Sequence, residues 1–270
     1  MKILKNSSVL KKAINKISDL GYVPTMGGLH SGHISLIKES QKKCKKTIVS
    51  IYVNPKQFTN KNDFLRYPRN IKKDLSLLQK HKVDYVFIPT TKDIYNLKNN
   101  TKIKINKSDK ILCAKFRKGH FEGVLAVMDR LLSLINPNYI MMGKKDFQQF
   151  ILIKKKFKNK YKCKVYPCRT IRDENNVALS TRNGLLNSND LTKAGLISTF
   201  IKKTKFLIKK KKYPYEYLNG LKKQLTKKFN IKIDYLEVRN EHNLKKFEKN
   251  KKCRIFIAYF INNVRLIDNF

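Results

Sequence analysis

The chain has 270 residues, which is long enough for a substantial buried core in one large domain or two modest ones. Hydrophobic residues make up 41% of it and recur in periodic segments, which argues against a disordered chain. Lysine and arginine together number 61 against 19 acidic residues, which gives a formal charge of +42. By itself, that charge is typical of a protein that binds nucleic acid.

The lysines, however, are spread along the whole chain and do not gather in one tail or stripe. Lysine, asparagine and isoleucine are all abundant and all have A/T-rich codons, so a biased genome would produce this composition without selection for a partner. We therefore predict no specific nucleic-acid site, and expect only loose binding to anionic polymers at low salt. A basic nucleic-acid-binding protein stays the non-enzymatic alternative.

The cysteines and the first residues of the chain bear on its location. The five cysteines are odd in number and none forms a Cys-x-x-Cys pair, which argues against a disulfide framework or a metal cluster. Residues 1–16 lack the apolar run of a signal peptide, and no stretch has the length of a membrane span. These features predict a cytoplasmic protein with no membrane partner.

The first two thirds of the chain alternate between short apolar runs, which predict strands, and segments with helical spacing. Predicted strands lie at 20–24, 47–53, 83–88, 139–142 and 164–168, and predicted helices at 33–46, 71–81, 121–135 and 147–157. This alternation predicts an α/β fold, with a Rossmann-like parallel sheet and helices on both of its faces. Ligands of such sheets bind beyond the carboxyl ends of the strands.

The pattern changes after about residue 180. Two long helices are predicted, followed by three strands, of which the last two are joined by a tight hairpin at 261–263. The predicted helices span 188–210 and 213–229, and the predicted strands span 231–238, 254–260 and 264–267. We therefore predict two domains: a Rossmann-like N-terminal domain of residues 1–176 and a smaller α+β C-terminal lid domain of residues 177–270.

The most informative segment is residues 24–33, Pro-Thr-Met-Gly-Gly-Leu-His-Ser-Gly-His, which joins a predicted strand to a predicted helix. Glycines there let the backbone approach a phosphate closely, and the N–H groups of the helix's first turn attract anions. Two histidines three positions apart can stabilise charge on adjacent phosphate oxygens. The pattern is typical of enzymes that transfer adenylyl or nucleotidylyl groups, and a glycine-rich turn with incidental histidines is the alternative.

Three further segments carry polar groups suited to small ligands. Gln57, directly after the second strand, offers donors and an acceptor for a hydroxy acid. Residues 143–149, Gly-Lys-Lys-Asp-Phe-Gln-Gln, offer a lysine for phosphate and an aspartate that can cap a helix. Arg182, in the loop 179–183, has a planar fork that fits phosphate oxygens. Taken singly, each segment is better explained as an ordinary turn.

Taken together, the four segments resemble the signature of the pantoate–β-alanine ligase (pantothenate synthetase) family, within the HIGH-motif nucleotidylyltransferase superfamily. Residues 63–69, Asp-Phe-Leu-Arg-Tyr-Pro-Arg, and 119–124, Gly-His-Phe-Glu-Gly-Val, are similar to two more of that family's segments. The similarity runs in order from about residue 18 to residue 187 and is weaker beyond. A related enzyme that makes a nucleotide-linked product is the closest alternative.

This resemblance implies the reaction and the partners. The expected reaction is the ATP-dependent condensation of (R)-pantoate with β-alanine, which gives pantothenate, AMP and pyrophosphate through a pantoyl-adenylate intermediate. Mg²⁺ is expected to bind through the ATP phosphates, with no metal ligands assigned among the protein side chains. The partners are then the small-molecule substrates, and family members are expected to form homodimers through the N-terminal domain.

The resemblance also assigns residues. It implies catalytic roles for His33, His30 and Lys145, and it places the pantoate and β-alanine site at Gln57 and Gln149. The implied ATP-binding residues are Met26, Gly27, Gly28, Leu29, His30, Ser31, Gly32, His33, Gly143, Lys144, Lys145, Asp146, Ile171, Leu179, Ser180, Thr181 and Arg182. For His120, a structural role and a place in the substrate pocket stay equally open.

Three positions depart from the family pattern. Lys144 stands where the family has glutamate, so an acidic neighbour of the expected phosphate-binding lysine has become basic. Gly28 replaces an alanine, and Thr181 replaces a serine while it keeps the hydroxyl. None of the three changes removes a group that the expected reaction requires.

Overall fold

The structure is a computed structural model that describes residues 1–95, 103–208 and 214–270. The chain divides into two compact units. Unit 1 comprises Met1–Lys144 and Gln149–Arg169, and unit 2 comprises Lys145–Gln148 and Thr170–Phe270. The domain boundary predicted between residues 176 and 177 stays a prediction. The adjoining ends of the two long predicted C-terminal helices, at 209–210 and 213, lie outside the described residues.

Unit 1 contains a six-stranded sheet that is parallel throughout, as the sequence predicts. Its strands are β1 (Lys2–Leu4), β2 (Leu20–Thr25), β3 (Lys46–Ile51), β4 (Tyr85–Phe87), β5 (Tyr139–Gly143) and β6 (Lys164–Cys168). They are arranged in the order β1-β4-β3-β2-β5-β6. The five predicted strands are confirmed to within a few residues, and β1 was not predicted.

Eight helices accompany this sheet in the described part of the first 169 residues. The four longest agree with the predicted segments, and the four shorter ones were not predicted. They are α1 (Ser7–Ile14), α2 (Ser31–Lys43), α3 (Lys61–Leu65), α4 (Ile71–Lys80), α5 (Thr91–Ile94), α6 (Cys113–Phe116), α7 (His120–Ile135) and α8 (Phe147–Phe157). Among the described residues, no helix combines the length and the apolar character that a membrane span requires.

Both faces of the sheet are covered, because neighbouring residues of β3 point to opposite faces and both are fully buried. Val49 packs in a cluster with Ile37 of α2 and Leu78 of α4. Ile48, which points the other way, has no exposed surface. A strand that is buried on both faces is a near-continuous run of apolar residues, and this is why the sequence of β3 was recognisable.

The strand order places a topological switch point between β2 and β5. From β2 the chain continues through β3 and β4 to one side of the sheet, whereas β5 and β6 lie on the other side. The connections that leave the carboxyl ends of β2 and β5 therefore run in opposite directions and leave a crevice between them. In parallel α/β sheets, this crevice is where ligands bind.

In its described residues, unit 2 has two α-helices and an antiparallel sheet of three strands in the order β7-β8-β9. The elements are α9 (Ser188–Ile208), α10 (Pro214–Phe229), β7 (Lys232–Asn240), β8 (Cys253–Ile261) and β9 (Val264–Asn269). Asn262 and Asn263 join β8 to β9, and their φ angles of 46° and 63° are those of a two-residue hairpin turn. The predicted α+β arrangement and its hairpin are confirmed.

Candidate active site

The loop Met26–His33, called the glycine loop below, leaves the carboxyl end of β2 and enters α2. Gly27 and Gly28 have φ angles of 78° and 62°, a region that side chains with a Cβ rarely adopt. Thr25 at the end of β2 fixes the start of the turn, because its hydroxyl donates to the carbonyl of Ser50 at 2.7 Å and accepts from the Gly27 N–H at 3.3 Å. The loop is therefore a tight left-handed turn at the switch point.

A buried carboxylate holds the middle of the glycine loop. Asp74, in the first turn of α4, is 3% exposed. Its Oδ2 accepts from the Gly28 N–H at 2.9 Å and its Oδ1 accepts from the Leu29 N–H at 2.8 Å. A Cβ added at Gly27 would lie 2.9 Å from Asp74 Oδ2. The two left-handed glycines thus let the chain wrap closely around this carboxylate.

The two histidines of the loop lie at the N-terminus of α2, with ring centroids 4.1 Å apart. His30 Nδ1 accepts from the Gly32 N–H at 3.1 Å, and His33 Nδ1 accepts from the His30 N–H at 3.3 Å. Because each Nδ1 is an acceptor, each neutral ring carries its proton on Nε2. The loop therefore presents two imidazole Nε2–H donors, groups that stabilise negative charge on phosphate oxygens.

Gln57 lies beside the glycine loop, in a short 3-10 turn (Pro55–Gln57) that follows β3. Its Nε2 lies 2.8 Å from the Sδ of Met26, and its Oε1 accepts from Asn54 Nδ2 at 3.3 Å. The structure thus brings together a residue predicted to bind pantoate and a residue predicted to bind ATP. The amide of Gln57 has a defined orientation, with the oxygen toward Asn54 and the nitrogen toward the loop.

The main chain at Gln57 is held from the other side by the start of α7. His120 Nδ1 lies 2.6 Å from the Gln57 carbonyl oxygen, so this nitrogen must be the donor, and Arg117 Nη1 lies 3.1 Å from His120 Nε2. A Cβ added at Gly123 would lie 2.2 Å from the carbonyl oxygen of Lys56. The residue whose role the sequence left open, His120, therefore holds the backbone of the Gln57 turn.

Two more predicted site residues lie at the same edge of the sheet. Tyr22 of β2 pairs in parallel with Ile140 of β5, so the carboxyl ends of these two strands lie at the same edge of the sheet. Gly143 ends β5 and Lys144 follows it, as the glycine loop follows β2 on the opposite side of the switch point. Gln149 lies in the first turns of α8 and is partly exposed.

The catalytic lysine predicted at position 145 belongs to unit 2. Its carbonyl accepts from Asn269 Nδ2 at 2.8 Å, and its Nζ lies 3.5 Å from Asp146 Oδ1. Two residues further on, the Phe147 ring packs 6.0 Å from that of Phe256. The short segment Lys145–Gln148 is thus held by residues of β8 and β9.

The remaining predicted ATP-binding residues also lie in unit 2, and two of the segments meet there. The Leu179 N–H donates to the carbonyl of Ile171 at 3.0 Å, so these two positions are neighbours. Ser180 caps a 3-10 turn (Thr181–Leu185), and its Oγ accepts from the Arg182 N–H at 3.3 Å. The predicted phosphate loop is therefore a capped turn beside Ile171.

Sequence reasoning missed Asp74, Asn54 and Tyr95. A signal for Asp74 was present, because it lies three residues after Ile71 and four before Leu78, on the apolar face of a predicted helix. A charged residue on a buried face has a partner that compensates it. Asn54 lies three residues before Gln57, directly after the predicted strand 47–53. For Tyr95, which reaches Asn54 from 41 residues away, the sequence carries no local signal.

Comparison with known proteins identifies the family of the chain. The family model described as pantoate-beta-alanine ligase matches residues 2–270. The pantothenate synthetase of Endomicrobium trichonymphae is 39% identical over 279 residues, which cover 100% of this chain and 97% of that protein. The pantothenate synthetase of Flavobacterium psychrophilum is 38% identical over 271 residues, which cover 96% of this chain and 94% of that protein.

Solved structures agree. The crystal structure of the pantoate-beta-alanine ligase from Francisella tularensis, complexed with beta-gamma ATP and beta-alanine, matches with a TM-score of 0.86 and 36% identity. The alignment covers 100% of this chain and 97% of that one. The pantothenate synthetase from Thermus thermophilus also matches with a TM-score of 0.86, at 26% identity, covering 100% and 99% of the two chains. The chain therefore belongs to the pantoate–β-alanine ligase family.

Proposed function

We propose that this chain condenses (R)-pantoate with β-alanine at the expense of ATP, and that pantothenate, AMP and pyrophosphate are its products. One observation carries this assignment beyond the family match: a left-handed glycine loop at the switch point presents two imidazole Nε2–H donors at a helix N-terminus. Gln57, whose amide can bind a hydroxy acid, lies against this loop. The relative from Francisella tularensis, whose crystal structure is a complex with beta-gamma ATP and beta-alanine, supports the same assignment.

In the first step, a carboxylate oxygen of pantoate attacks the α-phosphorus of ATP. The bond to the bridging oxygen breaks, pyrophosphate leaves and pantoyl adenylate forms. Negative charge grows on the non-bridging and leaving oxygens, and the Nε2–H groups of His30 and His33 donate hydrogen bonds to it. Donors that are already oriented need no rearrangement during the reaction, and this makes them effective. The capping bonds to their Nδ1 atoms provide that orientation.

In the second step, the amine of β-alanine attacks the acyl carbon of the adenylate. The new C–N bond forms, AMP leaves and the amine loses a proton, so that no covalent bond to the enzyme is needed. Catalysis then consists mainly of positioning the reactants and stabilising charge. Gln57 and Gln149 are assigned to holding pantoate in both steps, and Gln57 is also assigned to the β-alanine site.

The second unit supplies the other phosphate-binding groups in this proposal. Lys145 is assigned as a point charge for the phosphates, and Arg182 as a planar fork for their oxygens. Support for Lys145 comes from the position of its main chain, because its carbonyl oxygen accepts a hydrogen bond from Asn269 Nδ2. The capped turn that starts at Ser180 gives similar support to Arg182. Gly143, Lys144, Asp146, Ile171, Leu179 and Thr181 are assigned to the same ATP site.

Mg²⁺ enters this proposal as part of the substrate, bound to the phosphates of ATP. Among the residues that the structure describes, no group of three or more His, Cys, Asp or Glu side chains is arranged to hold a metal ion. A magnesium ion carried by a nucleotide needs few protein ligands, because it keeps several waters and binds phosphate oxygens. Its charge would add to that of the proposed lysine and arginine.

The test is to measure AMP and pyrophosphate from Mg-ATP with pantoate and β-alanine added singly and together. We expect AMP only when both acids are present, with pantothenate formed in equal amount. With pantoate alone, labelled pyrophosphate should exchange into ATP, because adenylate formation is reversible. Absence of turnover with every combination would contradict the proposed reaction.

The same assay separates this function from its closest alternative. A nucleotidylyltransferase would transfer a nucleotidyl group onto its substrate and release pyrophosphate without any need for β-alanine. The product would then retain the nucleotide, and free AMP would not accumulate. Dependence of AMP release on β-alanine therefore supports the ligase, whose first step releases at most one pyrophosphate per active site without the amine. Pyrophosphate release over many turnovers without an amine acceptor would support the alternative.

We further propose that the enzyme acts in the cytoplasm as a homodimer. Support for the dimer comes from the resemblance to its family, and support for the compartment comes from five free cysteines, four of them buried, which suit a reducing environment. Light scattering coupled to gel filtration tests the first proposal. A mass near that of a single 31.8 kDa chain at micromolar concentration would contradict it.

A further inference from the structure

The side chain of Tyr95 contacts Asn54, the residue that precedes the Gln57 turn. Tyr95 follows α5, and its hydroxyl lies 2.9 Å from Asn54 Oδ1. The pKa of Tyr95 is raised, mainly because burial disfavours the phenolate and also because Tyr52 lies nearby. The phenol therefore keeps its proton at neutral pH and acts as the donor in this bond.

Every polar atom of the Asn54 side chain has a partner. The side chain is 1% exposed, and its Oδ1 also accepts from the Lys56 N–H at 3.2 Å. Its Nδ2 donates to the carbonyl of Gly123 at 3.0 Å and to Gln57 Oε1 at 3.3 Å. A flipped amide would place oxygen against the Gly123 carbonyl and nitrogen against the Lys56 N–H. The orientation of Asn54 is therefore unambiguous.

A fixed Asn54 fixes Gln57 in turn. Because Gln57 Oε1 accepts from Asn54, the Nε2 of Gln57 is the end that faces the glycine loop. A donor is the useful group there, since the carboxylate and hydroxyl oxygens of a hydroxy acid can accept from it. The bond from Tyr95 holds Asn54 in the position from which it reaches Gln57. A buried hydrogen bond of this kind contributes about 0.5–1.5 kcal/mol.

We infer that Tyr95 is a positioning residue for the hydroxy-acid substrate, which acts through Asn54 on the amide of Gln57. The inference rests on the proposed function for the identity of that substrate, pantoate. Tyr95 does not touch the reacting atoms in this arrangement. Its hydroxyl donates to the acceptor end of Asn54, whose donor end orients the oxygen of Gln57, so that the nitrogen of Gln57 is presented to pantoate.

The kinetic test is the variant Tyr95→Phe, which removes the hydroxyl and keeps the ring. We expect KM for pantoate to rise about three- to tenfold, in line with one lost hydrogen bond, while KM for ATP and kcat change less than twofold. The matched control is Tyr161→Phe. Tyr161 and Tyr95 both line a cleft of about 380 Å³. The hydroxyl of Tyr161 donates to Asp129 at 2.8 Å and does not bond to Asn54. It should leave KM for pantoate unchanged.

A double-mutant cycle separates positioning from a general structural effect. In a Gln57→Ala background, adding Tyr95→Phe should cause no further rise in KM for pantoate, because the group on which it acts is gone. An undiminished effect in that background would overturn the inference. So would a Tyr95→Phe variant whose KM for pantoate equals that of the parent.

A readout without substrate keeps this test independent of the proposed function. The chain has six glutamines, so selective ¹⁵N labelling gives six side-chain amide signals, and Gln57→Ala identifies one of them. Tyr95→Phe should shift the Gln57 amide signal, and Tyr161→Phe should not. An unmoved Gln57 signal refutes the link from Tyr95. A shifted signal in an enzyme that does not turn over pantoate would contradict the proposed reaction and leave this link intact.

Discussion

The imidazoles of His30 and His33 serve the helix that carries them as well as the proposed reaction. Each uses Nδ1 to accept from a backbone N–H at the start of α2, which otherwise needs a capping residue such as serine or aspartate. One ring atom therefore has a structural role and the other a chemical one. This division lets each histidine be oriented by the backbone of the loop while its Nε2 serves the chemistry.

For His33→Ala we expect adenylation to fall by at least about a hundredfold, because a preorganised donor to the phosphates is lost. The fold should survive, since the His30 N–H loses only one capping partner. Pyrophosphate exchange with pantoate measures the first effect and circular dichroism the second. His81→Ala, at the end of α4, is the control. Near-normal exchange by the His33 variant would remove this residue from its proposed role.

Asp74→Ala should weaken both the fold and ATP binding. The change leaves the N–H groups of Gly28 and Leu29 without their buried acceptor, so the free energy of unfolding should fall by about 2 kcal/mol or more. KM for ATP should rise about tenfold, which corresponds to about 1.4 kcal/mol. Urea unfolding and initial rates measure the two effects.

The control for that variant is Asp109→Ala. Asp109 pairs with the exposed Lys155, and such surface pairs contribute about 0–1 kcal/mol. Asp109→Ala should therefore leave KM for ATP unchanged. If Asp74→Ala also leaves it unchanged, the carboxylate does not hold the glycine loop in the conformation that binds ATP.

At the site, what the sequence could predict depends on whether a residue's role is local. His30, His33 and Gln57 follow strand ends and stand in recognisable segments, and the structure places Gln57 against Met26 as part of one arrangement. Asp74 and Tyr95 act across 46 and 41 residues of chain. Contacts at such separation depend on the packing of complete elements, which no local pattern encodes.

Among the elements, the join between α7 and the Gln57 turn positions a residue proposed to bind substrate. Gly123 allows it, because there is no room for a Cβ next to the Lys56 carbonyl. The same join carries the bond from His120 to the Gln57 carbonyl. A helix and a turn are thus packed backbone to backbone, and the position of Gln57 depends on the position of α7.

Gly123→Ala should raise KM for pantoate and destabilise the fold by about 1–3 kcal/mol, because the added methyl group forces the helix and the turn apart. Gly220→Ala is the matched control within a helix. A Cβ there meets nothing within 4 Å, so this variant should gain about 0.5–1 kcal/mol and keep its kinetics. If the two variants have the same KM for pantoate and the same stability, the close approach at Gly123 does not affect substrate binding.

The elements themselves were largely predictable. The central strands are buried on both faces and give apolar runs, and the long helices give regular spacing, so their ends were placed within a few residues. The missed strand β1 has three residues, of which two are exposed, and it lies at the edge of the sheet. Its formation depends on pairing with β4, in which each residue pairs with one 83 positions later in the chain, and not on its own composition.

For the whole molecule, the charge of +42 has a cost in stability, because like charges repel one another in the compact state. Salt screens this repulsion over a distance that shrinks from about 30 Å at 0.01 M to about 8 Å at 0.15 M ionic strength. We therefore expect the midpoint of thermal unfolding to rise over that range of NaCl. A midpoint that falls with added salt would mean that attractive ion pairs dominate.

The same charge should produce binding to nucleic acid that lacks sequence preference. Dispersed lysines release counterions from any polyanion, so affinity for RNA or heparin should fall steeply with salt. Gel shifts with two unrelated RNA sequences at low and physiological salt test this expectation. A persistent preference for one sequence at physiological salt would instead support a dedicated nucleic-acid site.

The four residues Lys145–Gln148 belong to unit 2, although they are encoded between two parts of unit 1. A gene cut after the codon for Arg169 would still encode the proposed catalytic lysine, but not Asn269 or Phe256, which hold its segment. A recombinant that took its C-terminal third from a relative would have to match residues encoded up to 124 codons upstream. The two units are therefore poor candidates for exchange as separate modules, and they should vary together between species.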